Sequence, residues 1–385
     1  MHIFISAGEP SGDLHGANLI RVLRRIDPHV RCSGFGGERM SAAGCALLYP
    51  LTRLAVMWFL RVFLNIFTFL RLLKRARRYF REERPDALVL IDFPGFNFQL
   101  AKRAHAEGIP VYWFVPPQLW AWGGWRVEKM RRWVKVILCA LPFEEEWYRE
   151  CGVATKLVGH PFFDEMPLQQ LDGAFLEEQR RQPQKVVAIL PGSRMQELTH
   201  NLSSLLRAAA LVHERRPDTR FLVASFNEAQ AAVARAAAAK LDLPIEVHVG
   251  RTPEIIDLAE ACLTVSGSVS LELMYRLKPA TVIYRVGRIS LRIGRWFMTT
   301  SYITLVNLLA GEELYPEFLC DYNPAEPMAE HVLKWLNDPA AAADVRQRLL
   351  ALRQRVGEPG ACERAARFVD NELRGRKAEA ERPAA

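Results

Sequence analysis

A chain of 385 residues is too long for one ordinary hydrophobic core and suits two domains of about 150–200 residues each. Half of its residues are apolar, enough to fill such cores, and its formal net charge of +8 is clustered, which suits nucleic acid, anionic lipid or phosphorylated substrates. Seven scattered cysteines without a C-x-x-C pair argue against zinc and for a reducing compartment, no repeat stands out, and no basic leader of a signal peptide precedes the first strand.

Residues 2–6 read as a short apolar strand. Gly8-Glu9-Pro10-Ser11-Gly12-Asp13 and a helical pattern from 14 to 26 follow. Strand, glycine loop and helix form the opening unit of a doubly wound sheet. The glycines at 8, 12 and 16 do not follow the G-x-G-x-x-G spacing, so a nicotinamide site is not supported. Ser11 and Asp13 have two compatible readings, helix caps or ligand contacts. Residues 31–37 repeat the strand-then-glycine pattern, and 38–44 read as a short helix.

The segment 54–73 differs. It carries Trp58, Phe59, Leu60, Val62, Phe63, Leu64, Ile66, Phe67, Phe69 and Leu70, while Arg61, Asn65 and Thr68 form one narrow polar stripe. A helix lying on one sheet needs an apolar stripe only part-way round; this one is apolar over most of its circumference. It is short for a membrane span, and an arginine at mid-helix costs about 2.5–3.5 kcal/mol on insertion scales. Lys74, Arg75, Arg77, Arg78 and Arg81 follow at once. The favoured reading is a peripheral membrane contact. The other is a helix buried against a partner domain or subunit.

Residues 87–91 form a fully apolar, parallel-type strand, and Asp92 follows it directly. Ligand crevices of open α/β sheets lie at the carboxyl ends of strands. Asp92 is thus either a carboxylate at a crevice, with Phe93 and Phe96 favouring a raised pKa, or a cap of the next helix. A strand at 109–115 runs into Pro116-Pro117-Gln118-Leu119-Trp120-Ala121-Trp122, too rigid and bulky for a plain connector. A basic helix (Arg126, Lys129, Arg131, Arg132, Lys135), a strand at 136–140 and a helix at 143–151 follow, and Gly159-His160-Pro161 closes the first domain. His160 lacks the partner ligands of a metal site.

The polar, proline-bearing stretch that follows reads as a linker. The expected layout is a first domain at 1–170, a linker at 171–185, a second domain at 186–340, and a disordered tail at 374–385. The C-terminal helix, about 340–373, is open to packing back on the first domain. Residues 186–190 are a buried strand, Pro191-Gly192-Ser193 a turn, and Arg194 sits in the first turn of a helix. Free N–H groups, a glycine and a guanidinium make a plausible phosphate seat; an ordinary turn with a surface arginine is the alternative. The strand at 261–265 ends in Ser266-Gly267-Ser268 with Glu272 one turn into the next helix. Small residues there suit a diphosphate and the carboxylate suits a ribose diol, or the turn is simply a capped helix. Arg288, Arg292 and Arg295 form a second basic amphipathic surface. Asn307, inside an apolar run, needs a partner, either backbone or ligand.

Two doubly wound domains meeting at a cleft match a large class of nucleotide-sugar glycosyltransferases. No D-x-D occurs, which disfavours a metal-clamped diphosphate and leaves charge to helix N-termini and cationic side chains. The segments Ser-Ala-Gly-Glu-Pro-Ser-Gly-Asp at 6–13, Ile-Asp-Phe-Pro at 91–94, Pro-Gln-Leu-Trp-Ala-Trp at 117–122, Leu-Pro-Gly-Ser-Arg at 190–194, Ser-Gly-Ser-Val-Ser-Leu-Glu at 266–272 and Leu-Val-Asn-Leu-Leu-Ala-Gly at 305–311 come in order over nearly the whole chain. Together they resemble the lipid-A-disaccharide synthases.

The resemblance implies an α/β fold of two doubly wound, Rossmann-like domains facing across a cleft, the GT-B architecture. It implies inverting transfer of 2,3-diacylglucosamine from UDP to the 6-hydroxyl of 2,3-diacylglucosamine 1-phosphate. Asp92 would be the catalytic base. Gly192, Ser193, Arg194, Gly267, Ser268, Glu272 and Asn307 would bind UDP. Glu9, Ser11 and Gly12 would line the acceptor side. Trp58, Phe59, Phe63 and Phe67 would touch an anionic membrane surface on the cytoplasmic face of the inner membrane. No metal, cofactor or nucleic acid is expected, and a homodimer stays open. The alternatives are a peptidoglycan-type transferase, a sugar-nucleotide epimerase, which would have no need of the 54–73 helix, and a non-enzymatic nucleotide-binding protein, which would have no need of Asp92.

Overall fold

The computed structural model describes residues 1–55, 66–288, 291–292 and 300–380. They divide into two compact units, Met1–Glu165 together with the chain from Glu358 on, and Met166–Gly357.

The strands of the first unit are β1 (His2–Ala7), β2 (Arg31–Phe35), β3 (Ala46–Tyr49), β4 (Ala87–Ile91), β5 (Val111–Phe114), β6 (Val136–Cys139) and β7 (Thr155–Leu157). They form a parallel sheet in the order β3-β2-β1-β4-β5-β6-β7. β1 and β4 are buried along their whole length because helices cover both faces. Alternate side chains serve opposite layers. Ile3, Ile5, Val89 and Ile91 pack with Ala17 and Ile20 of helix Pro10–Ile26 and with Val369 of helix Ala361–Ala380. Phe4, Leu88 and Leu90 pack with Phe80 of helix Ile66–Glu83 and with Phe98 of helix Pro94–Ala106.

The second unit holds β8 (Lys185–Leu190), β9 (Thr219–Ser225), β10 (Ile245–Val249), β11 (Ala261–Val265), β12 (Ala280–Arg285) and β13 (Glu317–Cys320). Their parallel order is β10-β9-β8-β11-β12-β13. Each sheet therefore reverses its strand order once, between β1 and β4 and between β8 and β11. At such switch points adjacent loops leave in opposite directions and open a crevice.

Several expectations need correction. The stretch 171–185 is no linker. Asp172 accepts the N–H of Phe175 at 3.1 Å and caps helix Gly173–Arg180, whose Leu176 is buried in the second unit. The expected helix at 340–373 is two helices, Pro339–Val356 in the second unit and Ala361–Ala380 in the first. Gly357-Glu358-Pro359-Gly360 breaks it, since proline disfavours the helical conformation in the residue before it and Gly360 has φ 99°. The Asp164 carboxylate then receives the N–H groups of Gly360, Ala361 and Cys362 at 2.7–2.9 Å and starts the second helix. Residues 374–380 continue that helix rather than fraying. The edge strands β3 and β13 escaped the pattern because they are short and only half covered. Trp58, Phe59, Phe63 and Arg295 lie outside the described residues.

Candidate active site

In the first unit, Ala7 and Ile91 are register partners at the ends of β1 and β4, so the turns that follow them begin side by side before diverging to opposite faces of the sheet. Gly8 and Glu9 lie on one turn, with Ser11 and Gly12 in the first turn of the helix it opens, and Asp92 lies on the other. Gly8 has no room for a side chain: a Cβ would lie 2.2 Å from the Phe93 ring. Asp92 and Phe93 both adopt left-handed backbone, φ 45° and 49°. Such conformations store about 1–3 kcal/mol each and persist only when the surroundings enforce them. Asn97 is the enforcing residue. It is fully buried, its Nδ2 donates to the Asp92 carbonyl at 2.7 Å and the Ile91 carbonyl at 3.2 Å, and its Oδ1 accepts from Ser6 Oγ at 2.8 Å. The Asp92 N–H donates to the carbonyl of Val115, itself at φ 54°. The half-buried Asp92 is thus set on a strained, over-determined corner.

The sequence reading missed Asn97, whose signal was a polar residue between Phe96 and Phe98. It also misplaced a cap. Glu9 is the N-cap of helix Pro10–Ile26 without a side-chain bond. The buried Asp13 accepts the N–H groups of Gly37, Arg39 and Met40 at 2.6–3.1 Å and so caps helix Glu38–Ala42 instead. Beside Asp92, the ring of Phe93 meets Phe69 and Phe96 at 6.5 and 6.4 Å. Phe69 lies on helix Ile66–Glu83, whose Phe67 is 73% exposed. The described part of the apolar segment therefore touches the wall of the carboxylate. Among the described residues no helix is long and apolar enough to cross a membrane.

In the second unit the turns at Pro191–Arg194 and Ser266–Ser268 leave β8 and β11, neighbours at the switch point. Gly192 lies close against the end of β11: a Cβ on it, at φ 97°, would lie 2.9 Å from Val265 Cγ2 and 2.5 Å from Glu197 Oε2. The Ser193 carbonyl is tied down by Nε2 of the buried Gln230 at 2.8 Å. Gly267 and Ser268 are exposed, and nothing lies within 4 Å of where a Cβ of Gly267 would point. Their backbone is open to a ligand.

Arg194 is the N-cap of helix Met195–Arg215 rather than part of its first turn, because its backbone is extended. Its guanidinium pairs with Glu197 at 3.0 Å while 71% exposed. An exposed pair of this kind is worth about 0–1 kcal/mol, so an anion can displace it. Glu272 is nearly buried and pairs with Arg276 Nε at 3.1 Å. Burial raises its carboxyl pKa and the Arg276 charge opposes that rise.

Asn307 needs a correction. It is fully buried and all four of its hydrogen-bonding positions are used inside the fold. Nδ2 donates to the Tyr315 carbonyl at 2.7 Å and Glu317 Oε2 at 3.0 Å, and Oδ1 accepts from the Leu314 and Tyr315 N–H groups at 2.9 Å. It braces a turn and has nothing left for UDP. Glu317, which also receives the N–H groups of Ile303 and Thr304, completes the brace.

Each unit thus carries one equipped switch point, a carboxylate in the first and an open small-residue seat beside the exposed Arg194 guanidinium in the second. Residues 3–371 match the lipid-A-disaccharide synthetase family. The lipid-A-disaccharide synthase of Myxococcus xanthus is 36% identical over 370 residues, covering 95% of this chain and 96% of that protein. At the level of fold, the chain resembles a putative UDP-N-acetylglucosamine 2-epimerase from Listeria monocytogenes (TM-score 0.67, 13% identity, 97% and 96% of the two chains). It also resembles the glycotransferase of kitacinnamycin (TM-score 0.63, 16% identity, 97% and 98%). The fold is shared by epimerases and GT-B transferases, and the family match over nearly the whole length decides between them: the chain belongs to the lipid-A-disaccharide synthetase family of glycosyltransferases.

Proposed function

We propose that the chain transfers 2,3-diacylglucosamine from UDP to the 6-hydroxyl of 2,3-diacylglucosamine 1-phosphate, with inversion and without a metal. The observation that carries this reading is that each unit equips its own switch point: the first places Asp92 at the end of β4, and the second places the Gly192–Arg194 and Gly267–Ser268 turns after β8 and β11. The Asp92 carboxylate takes the proton of the 6-hydroxyl as its oxygen attacks the anomeric carbon. A new C1–O6 bond forms, the bond from C1 to the UDP phosphate breaks, and UDP carries away the electron pair. The charge on the leaving diphosphate is met by the N–H groups of the two turns and by Arg194 once it leaves Glu197. Glu272 faces the ribose, and Glu9, Ser11 and Gly12 line the acceptor side next to Asp92.

The acyl chains of both substrates give the apolar 54–73 segment its purpose. That segment, with Phe67, seats the protein on an anionic membrane surface at the cytoplasmic face of the inner membrane. A homodimer is compatible with this scheme and is not required by it.

Purified protein supplied with UDP-2,3-diacylglucosamine and 2,3-diacylglucosamine 1-phosphate should yield a disaccharide phosphate and UDP in the presence of EDTA. Folded protein that gives no product with or without added divalent cations would overturn the substrate assignment; product only with added cation would overturn the metal-free mechanism alone.

A further inference from the structure

The aromatic loop after β5 is anchored from below. Trp120 Nε1 donates to the buried Glu144 at 3.2 Å, its ring stacks edge-on to Phe143, and the hydroxyl of buried Tyr148 donates to the Pro117 carbonyl at 2.7 Å. On this platform the chain holds Trp122 and Trp125 out to solvent, 58% and 71% exposed. Arg126 sits between them, its guanidinium 4.7 Å from the Trp122 ring centre and 6.0 Å from that of Trp125, and its Nη2 donates to the Trp122 carbonyl at 3.3 Å. Two exposed indoles on a firm base are not needed for the core. Indole rings, apolar in body and polar at one end, belong at a boundary between apolar and wet surroundings.

The topology says which boundary. Helix Val127–Trp133 leads directly into β6, so its start, and the Trp122–Arg126 loop, lie at the carboxyl end of the sheet. Helix Ile66–Glu83 leads directly into β4, so Ile66, Phe67 and Leu70, all exposed, lie at the same end. Both helices cover the same face of the sheet, with helix Pro94–Ala106 between them. Exposed cations accompany both groups: Arg71, Lys74 and Arg75 on one helix, Lys129 and Arg132 on the other.

We propose that Trp122 and Trp125, clamped by Arg126, form a second membrane contact, which inserts at the headgroup level of an anionic bilayer alongside the exposed Ile66, Phe67 and Leu70. This rests on the proposed membrane seating and extends it from one point to two. Two contacts at one edge define an orientation, with the carboxyl end of the sheet, and hence Asp92, turned to the lipid. Each basic side chain near an anionic surface adds an attraction that salt screens.

The test is co-sedimentation with vesicles of phosphatidylglycerol and phosphatidylcholine, read together with quenching of tryptophan fluorescence by brominated lipid. The W122S/W125S variant should lose about tenfold in vesicle partitioning. It should keep the unfolding temperature and the turnover of detergent-dispersed substrate, and W122Y/W125Y should restore most of the binding. Partitioning equal to the parent protein, while Phe67→Ser weakens it, would overturn this second contact and leave the membrane reading standing. A parent protein that does not bind the vesicles would overturn both.

Discussion

At the scale of single residues, Asp92 and Asn97 divide the work between chemistry and geometry. Asparagine tolerates left-handed backbone, so Asp92→Asn should fold normally and bind UDP. It should lose at least about 100-fold in turnover, measured by product formation beside calorimetric UDP titration. Asn97→Ala should also lose turnover, and in addition about 1–3 kcal/mol of stability, because Ser6 Oγ and the Asp92 carbonyl lose a buried partner. Denaturant unfolding separates the two variants. Buried titratable groups set the pH dependence. Burial holds the imidazoles of His15 and His160 down at about 3 and about 4. The unfolded chain binds these protons already below about 6.5, so stability is present above that pH and is lost as the pH falls. Glu144 acts the other way: burial raises it to about 7, so its contribution is full below its usual 4.5 and is lost as the pH rises through 7. His15→Leu, which removes a ring nitrogen that has no partner, should flatten the acid limb of a plot of unfolding temperature against pH. An unchanged acid limb would contradict this assignment.

At the scale of elements, the strand-turn-helix unit is the recurring device, and its glycine positions show how tight it is. Gly192→Ala would place a methyl group against Val265 and Glu197 in a backbone that side chains rarely adopt. A stability loss of about 1–3 kcal/mol and UDP binding weakened by at least tenfold are expected, from denaturant unfolding and calorimetry. Gly267→Ala meets open space, so its fold should survive and any loss should fall on UDP binding. The repeated pattern of apolar run, small-residue turn and helix made these elements legible in the sequence. Capping was less legible. Asp13 caps a helix more than twenty residues away in sequence, and Asp164 caps one nearly two hundred residues away. Spacing rules look only to the next turn of chain, so they assigned the first of these partners wrongly and did not see the second.

At the scale of the whole molecule, the two units differ in how the chain builds them. The second is continuous, Met166–Gly357, whereas the first needs the chain from Glu358 on to cover helix Pro10–Ile26. Ala365, Ala366, Val369 and Leu373 supply that cover from helix Ala361–Ala380. A fragment of residues 166–357 should therefore fold and bind UDP alone. A fragment of residues 1–165 should unfold without a cooperative transition until residues 358–385 are supplied, as followed by circular dichroism. Cooperative unfolding of the shorter fragment by itself would show that the returning helix is dispensable.

The apolar runs, the turns after them and Asp92 at the end of β4 are local facts. A strand buried on both faces must be apolar throughout, and a ligand loop must follow its carboxyl end, so the doubly wound class and most of the candidate site could be read from the chain alone. Tertiary structure decided what depends on partners distant in sequence. It satisfied Asn307 with Tyr315 and Glu317, bound Asn97 to β1, absorbed the supposed linker into the second unit and returned the last helix to the first. A buried polar group announces in the sequence that it needs a hydrogen bond, but only the folded chain determines which atoms come within 3 Å to make it.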